Sequence, residues 1–151
     1  MRFHPIVLVL FLLVSIVSLA EDGDRKHIVL PRPGNEGTLP FSDAVLVGNT
    51  LYIAGHIGMD PKTGKPAADA EQEARLVMDG MKHTIEASGL KMDDLVQVQV
   101  FCSDVSLFDT FNKVYRTYFN GTFPVRAFLG SGKLLFDARF EVMGIAVKPA
   151  K

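Results

Sequence analysis

The sequence predicts a small α+β domain in which two helices cover one face of a single mixed sheet. Three observations predict it. Two stretches, 69–89 and 104–120, carry apolar residues at helical spacing. Shorter runs either alternate apolar with polar residues or are continuously apolar, as strands do. The order of these pieces is β, ββ, α, β, α, ββ, within the length of one domain. Right-handed crossovers put both helices on the same sheet face. The other face is then left to a partner, so a homo-oligomer is expected.

The amino terminus reads as a targeting segment. Met1-Arg2 and His4 precede an apolar run from Ile6 to Val17, and Ser18-Leu19-Ala20 places small residues before the polar Glu21-Asp22-Gly23-Asp24. This is the pattern of a secretory signal, residues 1–20, cleaved after Ala20. The protein is therefore expected to be secreted or periplasmic, without stable membrane insertion once the signal is removed. An uncleaved anchor is the alternative, but the run is short against the span of about 20 apolar residues that a bilayer requires. Residues 21–38 form an extension with a possible edge strand, His27–Leu30, stopped by Pro31-Arg32-Pro33-Gly34. Residues 39–151 form the domain.

Within it, Ala44-Val45-Leu46-Val47 and Leu51-Tyr52-Ile53-Ala54 flank Gly48-Asn49, a hairpin signal. Residues 60–66 have the composition of a loop. Asp69 is a candidate N-cap for the first helix, with Glu71 and Glu73 at the positive end of its dipole. Ala74, Val77, Met78, Met81 and Ile85 make its apolar face, and Gly89 stops it. Gly80, inside the helix, suggests close packing against the sheet. Leu95 to Phe101 alternates with period two and reads as a strand. Asp104 and Ser106 offer caps for the second helix, with Phe108, Phe111, Val114 or Tyr115, and Tyr118 as core aromatics and aliphatics, ending at Asn120-Gly121. Ala127-Phe128-Leu129 is a short strand. Arg139 to Val147 is a longer one, apolar enough to be buried on both faces inside a layered structure or an oligomer.

Composition excludes several classes of function. The chain has 16 basic and 17 acidic residues, so nothing points to a nucleic-acid partner. His4, His27, His56 and His83 stand at no metal-ligand spacing, so no metal is expected. There is no phosphate loop and no nucleophile elbow. The single cysteine, Cys102, lies in an apolar strand and reads as a small buried hydrophobe. Asn120-Gly121-Thr122 is a glycosylation sequon, meaningful only in a eukaryotic secretory route.

The residue with most chemical meaning is Arg126, in Thr122-Phe123-Pro124-Val125-Arg126-Ala127-Phe128. It is either a surface charge on a strand edge or a guanidinium kept for an anion, whose fork of donors fits a carboxylate. The residues alone leave both open.

At this point the chain resembles the RidA, or YjgF, family of enamine/imine deaminases. The matching pieces are Ala54-Gly55-His56-Ile57 before Asp60-Pro61-Lys62-Thr63-Gly64; Glu86-Ala87-Ser88-Gly89-Leu90; Phe101 with Asp104; Phe123-Pro124-Val125-Arg126; and Phe140-Glu141-Val142 with Ile145-Ala146-Val147. The resemblance covers Leu39 to Val147. It implies a chorismate-mutase-like α+β fold and a homotrimer with a barrel-like core and active sites between subunits. It implies hydrolysis of small 2-imino or 2-enamino acids, such as those released by PLP enzymes or amino-acid oxidation, to 2-oxo acids and ammonia, without metal or organic cofactor.

Carried over residue by residue, the resemblance makes Arg126 the carboxylate-binding group and Glu141 the carboxylate that orients or activates water. For Glu141 the plain alternative is a salt bridge to Arg139 or a solvated strand position. Gly55 matches a glycine whose backbone lines the cleft, or else marks a bulge. Asn112 matches a polar position near the cleft, or else makes a capping or subunit contact. The chain departs from the pattern at Phe41, where family members often carry tyrosine, and at Phe128, where they often carry a small residue or cysteine. Both bear on which substrate fits. A non-catalytic carboxylate-binding or chaperone-like trimer is therefore the alternative function. A chorismate-mutase activity would require several cations around a dicarboxylate, and the sequence offers one good candidate.

Overall fold

The computed structural model describes residues 25–31 and 39–149. The expected signal peptide and most of the 21–38 extension lie outside the described residues. Among the described residues, the elements in chain order are β1 (Arg25–Ile28), β2 (Ala44–Val47), β3 (Thr50–Ile57), β4 (Met59–Asp60), β5 (Lys65–Pro66), α1 (Ala70–Ala87), β6 (Leu95–Cys102), α2 (Phe108–Tyr115), β7 (Val125–Gly130) and β8 (Phe140–Val147). Six strands form one sheet in the order β1-β2-β3-β8-β6-β7. Only β6 and β7 run parallel, joined by the crossover through α2; the other neighbours are antiparallel. This is the mixed α+β arrangement that the sequence predicts.

Local chemistry explains most boundaries. The Asp69 side chain accepts from the Gln72 backbone N–H at 2.9 Å and caps α1. The helix ends at Gly89, whose φ of 84° lets the Leu90 N–H turn back to the Ile85 carbonyl. Its predicted face is the one that packs: Ala74, Val77, Met78, Met81 and Ile85 are fully buried. The Gly48-Asn49 turn joins β2 to β3 with Val47 paired to Thr50 and Gly48 at a φ of 59°.

Three boundaries differ from the expectation. The edge strand starts earlier, at Arg25, and stops at Ile28, because the Leu30 N–H is taken by the Asp43 carboxylate rather than by the ladder. The 60–66 loop contains a small ribbon, β4 against β5, closed by Gly64 N–H to the Asp60 carbonyl. The second helix is α-helical only from Phe108 to Tyr115, with tight 3₁₀ turns at 105–107 and 116–118.

Both helices pack on one sheet face. That face is lined by Leu51, Ile53, Val98, Val100, Cys102, Phe140, Val142 and Ala146, all buried. Phe111 of α2 stacks on Tyr115 and meets Phe128 and Phe140 with centroids 5.0–5.7 Å away. Within one chain β8 is not buried on both faces. Phe140, Val142, Gly144 and Ala146 face the helices, while Glu141, Met143, Ile145 and Val147 lie on the open face. Cys102 is the inert hydrophobe expected: it is buried, its S–H donates to the Asp104 carbonyl at 3.0 Å, and burial pushes its pKa up.

One buried acid ties the layers together. Glu73 in α1 is fully enclosed and accepts from the Arg139 backbone N–H, the Arg139 guanidinium at 2.6 Å and the Phe140 backbone N–H. Arg139 also donates to the Ala67 and Ala68 carbonyls. The start of β8 is thereby clamped to the first turns of α1. Gly80 packs against the sheet as expected: a Cβ there would sit 3.4 Å from the ring of His56, a residue of β3.

Candidate active site

The sequence-predicted site residues fall into two groups within one chain. The first is Arg126, Asn112 and Phe128. Arg126 on the edge strand β7 pairs with Val98, and Phe128 with Val100. Val98 and Val100 point at the helices, so Arg126 and Phe128 do as well. Asn112, on α2, accepts from Arg126 Nη2 at 2.7 Å. The guanidinium lies 4.5 Å above the Tyr115 ring and 5.8 Å from the rings of Phe108 and Phe128. Burial, more than any nearby charge, holds its pKa below the usual arginine value.

This guanidinium has no acidic partner among the described residues. Of the five donors of a guanidinium, about four remain free for a ligand after the bond to Asn112. It opens on a cleft of about 290 Å³ lined by Asn112, Tyr115, Arg116, Phe123, Pro124 and Arg126. Tyr115 is 4 % exposed, and its hydroxyl has no hydrogen-bond partner among the described residues. Burial pushes its pKa up to about 12, against the opposing pull of Arg126.

The second group is Gly55, Glu141 and Phe41. The register between β3 and β8 shifts between Ile53, which pairs with Gly144, and His56, which pairs with Val142. Ala54 and Gly55 therefore face Met143 alone, which makes a β-bulge. Gly55 thus takes its alternative reading as a bulge position, and it lies against Glu141. A Cβ on Gly55 would stand 2.1 Å from Glu141 Oε1. His56 secures the bulge from behind, with Nδ1 at 2.8 Å from the Ala54 carbonyl and Nε2 at 2.8 Å from Thr84 Oγ1. The Ala54 N–H donates to the Asp43 carbonyl, which brings the segment around Phe41 to this end of the sheet. Phe41 is 52 % exposed, an aromatic surface without a hydroxyl.

Glu141 pairs with Phe101 across β6 and with Ile57 across β3, on the open face. Its carboxylate makes no hydrogen bond or ion pair among the described residues, and Arg139 is committed to Glu73 instead. The salt bridge that sequence reading allowed for Glu141 does not form. Arg126 and Glu141 project from opposite faces of the sheet, so one chain does not bring them together.

Sequence reading missed two contributors. Tyr115 reads as a core aromatic, yet it also supports the guanidinium. Arg116, which no motif in the sequence marks out, shares the cleft. The residues present offer no metal cage: no group of three or more His, Cys, Asp or Glu residues converges among the described residues. No helix there is long and apolar enough to cross a membrane.

Comparison with known proteins matches this geometry to a family. Residues 34–148 match the family described as Endoribonuclease L-PSP. The 2-iminobutanoate/2-iminopropanoate deaminase of Escherichia coli K12 is 38 % identical over 112 residues, covering 72 % of this chain and 88 % of that protein. The human protein of the same name is 35 % identical over 117 residues, covering 77 % and 84 %. A RutC family protein of Pyrococcus horikoshii is 36 % identical over 124 residues, covering 82 % and 98 %. Among solved structures, the E. coli YjgF gene product superposes with a TM-score of 0.74 at 36 % identity, covering 82 % of this chain and 99 % of that one. E. coli TdcF with bound serine also has a TM-score of 0.74, at 30 % identity, covering 82 % and 100 %. Sequence motifs, strand order and these matches agree, and the chain belongs to the RidA (YjgF) family.

Proposed function

We propose that this protein hydrolyses reactive 2-imino or 2-enamino acids to 2-oxo acids and ammonia. The observation that carries the reading is Arg126: a partly desolvated guanidinium, held by Asn112 and Tyr115, with free donors and no acidic partner among the described residues. Such a group is built for an exogenous carboxylate. The names of the relatives support the reaction, and serine bound to a family structure shows that a small amino-acid-sized carboxylate fits the fold there.

In this reading the substrate carboxylate binds Arg126 bidentately, which fixes the C=N carbon in place. Water adds to that carbon, and its proton passes to nitrogen. Glu141, free of other partners among the described residues, accepts a proton from the attacking water and returns one to the leaving amine. The C–N bond then breaks, giving the 2-oxo acid and ammonia, with one water consumed. No step calls for an oxidant or a group carrier.

Because Arg126 and Glu141 face opposite ways in one chain, the complete site needs a second copy. The open sheet face supports such an assembly, with Tyr52, Val125, Leu129 and Met143 exposed on it. We assign the assembly as a homotrimer in which one subunit supplies Arg126 and a neighbour supplies Glu141. Export to the periplasm or beyond follows from the amino-terminal pattern and is part of the same proposal.

The test is a coupled assay. An amino-acid oxidase generates 2-iminobutanoate, and release of the 2-oxo acid is followed. Wild type accelerates release. Arg126→Ala loses at least about tenfold in kcat/KM, as expected for a charge-assisted pair of about 1.5–3 kcal/mol. Full activity in Arg126→Ala sinks the reading. The non-catalytic alternative, favoured by the missing hydroxyl at Phe41, predicts 2-oxobutanoate binding by calorimetry with no acceleration.

A further inference from the structure

The cleft around Arg126 carries a second cation. Arg116, in the tight turn that ends α2, lines the same cavity, and its guanidinium lies 6.0 Å from the Phe123 ring. Phe123 stacks on Tyr115 at 6.3 Å, and Tyr115 carries Arg126 on its ring at 4.5 Å. Two guanidiniums thus flank a pair of stacked aromatic rings on one cleft.

A cation at a helix end is ordinary, because it meets the negative end of the dipole. Three observations go beyond that. The six lining residues include two cations and no acid, so nothing in the lining compensates the two positive charges. The field of Arg116 is one of the influences that lower the pKa of Arg126. Among the described residues, Arg116 makes no ion pair or hydrogen bond, and the buried hydroxyl of Tyr115, which lines the same cleft, lacks a partner. Like charges held together in a partly desolvated cleft are relieved by an anion that reaches both. One carboxylate suffices for Arg126. A second negative group on the same ligand is what Arg116 would meet.

We propose that Arg116 is a specificity-determining residue that selects substrates with a second carboxylate, the 2-imino acids derived from aspartate and glutamate. This rests on the deaminase reading above. The first carboxylate sits on Arg126, the side chain lies along the Tyr115 and Phe123 rings, and the distal carboxylate meets Arg116.

The experiment compares 2-iminoglutarate with 2-iminobutanoate, each generated by an amino-acid oxidase, in wild type, Arg116→Gln and Arg116→Lys. In parallel, glutarate and butyrate are titrated calorimetrically. Wild type favours the diacid imine. Arg116→Gln lowers the diacid-to-monoacid ratio of kcat/KM about tenfold, mainly through KM, as expected for losing one charge-assisted contact. Arg116→Lys restores part of the ratio, which a purely structural role would not do. An unchanged ratio with 2-iminobutanoate still turned over overturns the assignment of Arg116 and leaves the deaminase reading standing. Arg116-dependent binding of glutarate without turnover of either imine supports the two-carboxylate site and removes the deaminase reading.

Discussion

Gly55→Ala moves Glu141 without altering it. A Cβ at position 55 would stand 2.1 Å from Glu141 Oε1, 3.0 Å from Cδ and 3.2 Å from Cγ. Ordinary contact lies near about 3.5 Å, so the carboxylate must retreat by roughly 1 Å or more. Its obstacle is the far end of a flexible side chain, and Gly55 is not among the positive-φ glycines. The fold can therefore accept alanine with a stability change within about 1 kcal/mol of wild type. Catalysis cannot, because a misplacement of about 1 Å in a proton-transferring group costs on the order of a hundredfold. The measurement pairs thermal denaturation with kcat/KM on 2-iminobutanoate. Gly144→Ala is the contrasting variant: its Cβ would meet the Gln97 carbonyl at 2.7 Å, a backbone atom that cannot swing aside. It should lose stability, whereas Gly55→Ala loses activity. An active Gly55→Ala enzyme would show that the position of Glu141 does not matter and refute its role.

Three further predictions follow from the same geometry. Glu73→Ala strands the Arg139 guanidinium and two backbone N–H groups, so it should destabilise the fold by about 3–5 kcal/mol in chemical denaturation; a loss under about 1 kcal/mol would show that the clamp is dispensable. Burial raises the pKa of Tyr115 to about 12 and raises that of Tyr118, which also donates to Asp79. A folded pKa above the unfolded one means that the native state holds the proton more tightly, so stability is intact below about pH 10 and falls by about 2 kcal/mol for Tyr115 as pH rises to about 12. Tyrosinate absorbance should report these two residues ionising only well above pH 10 or on unfolding; their titration near pH 10 in folded protein would contradict the burial argument. Finally, Arg126→Ala and Glu141→Gln subunits, each inactive alone, should regain activity when unfolded together and co-assembled, because some sites then receive both groups from neighbouring chains. No recovery in verified mixed oligomers would place the site within one subunit.

The local elements were legible because their determinants are local. Asp69, the i, i+3, i+4 spacing of Ala74 to Ile85, and Gly89 lie within one helix, and the Gly48-Asn49 turn within one hairpin. Glu73 was legible only as an acid near a helix start; its partner is 66 residues away, and the clamp exists only once β8 is placed. The same reason hid the separation of Arg126 from Glu141. Their faces follow from the register of β6 against both β7 and β8, which no local pattern encodes. The bulge at Ala54-Gly55 likewise depends on which residue of β8 stands opposite. The shortened α2 reflects a limit of periodicity: apolar spacing of three to four continues through a 3₁₀ turn as readily as through an α-helix.

The central claim is that Arg126 holds the carboxylate of a small 2-oxo or 2-imino acid while Glu141 faces the reacting carbon. A crystal structure with 2-oxobutanoate tests it most directly. The account predicts both carboxylate oxygens within hydrogen-bond distance of Arg126, the 2-oxo carbon beside the Gly55 bulge, and Glu141 of a neighbouring subunit at a water on that carbon. An oxo acid bound away from Arg126, or a cleft closed by Phe128, would contradict it.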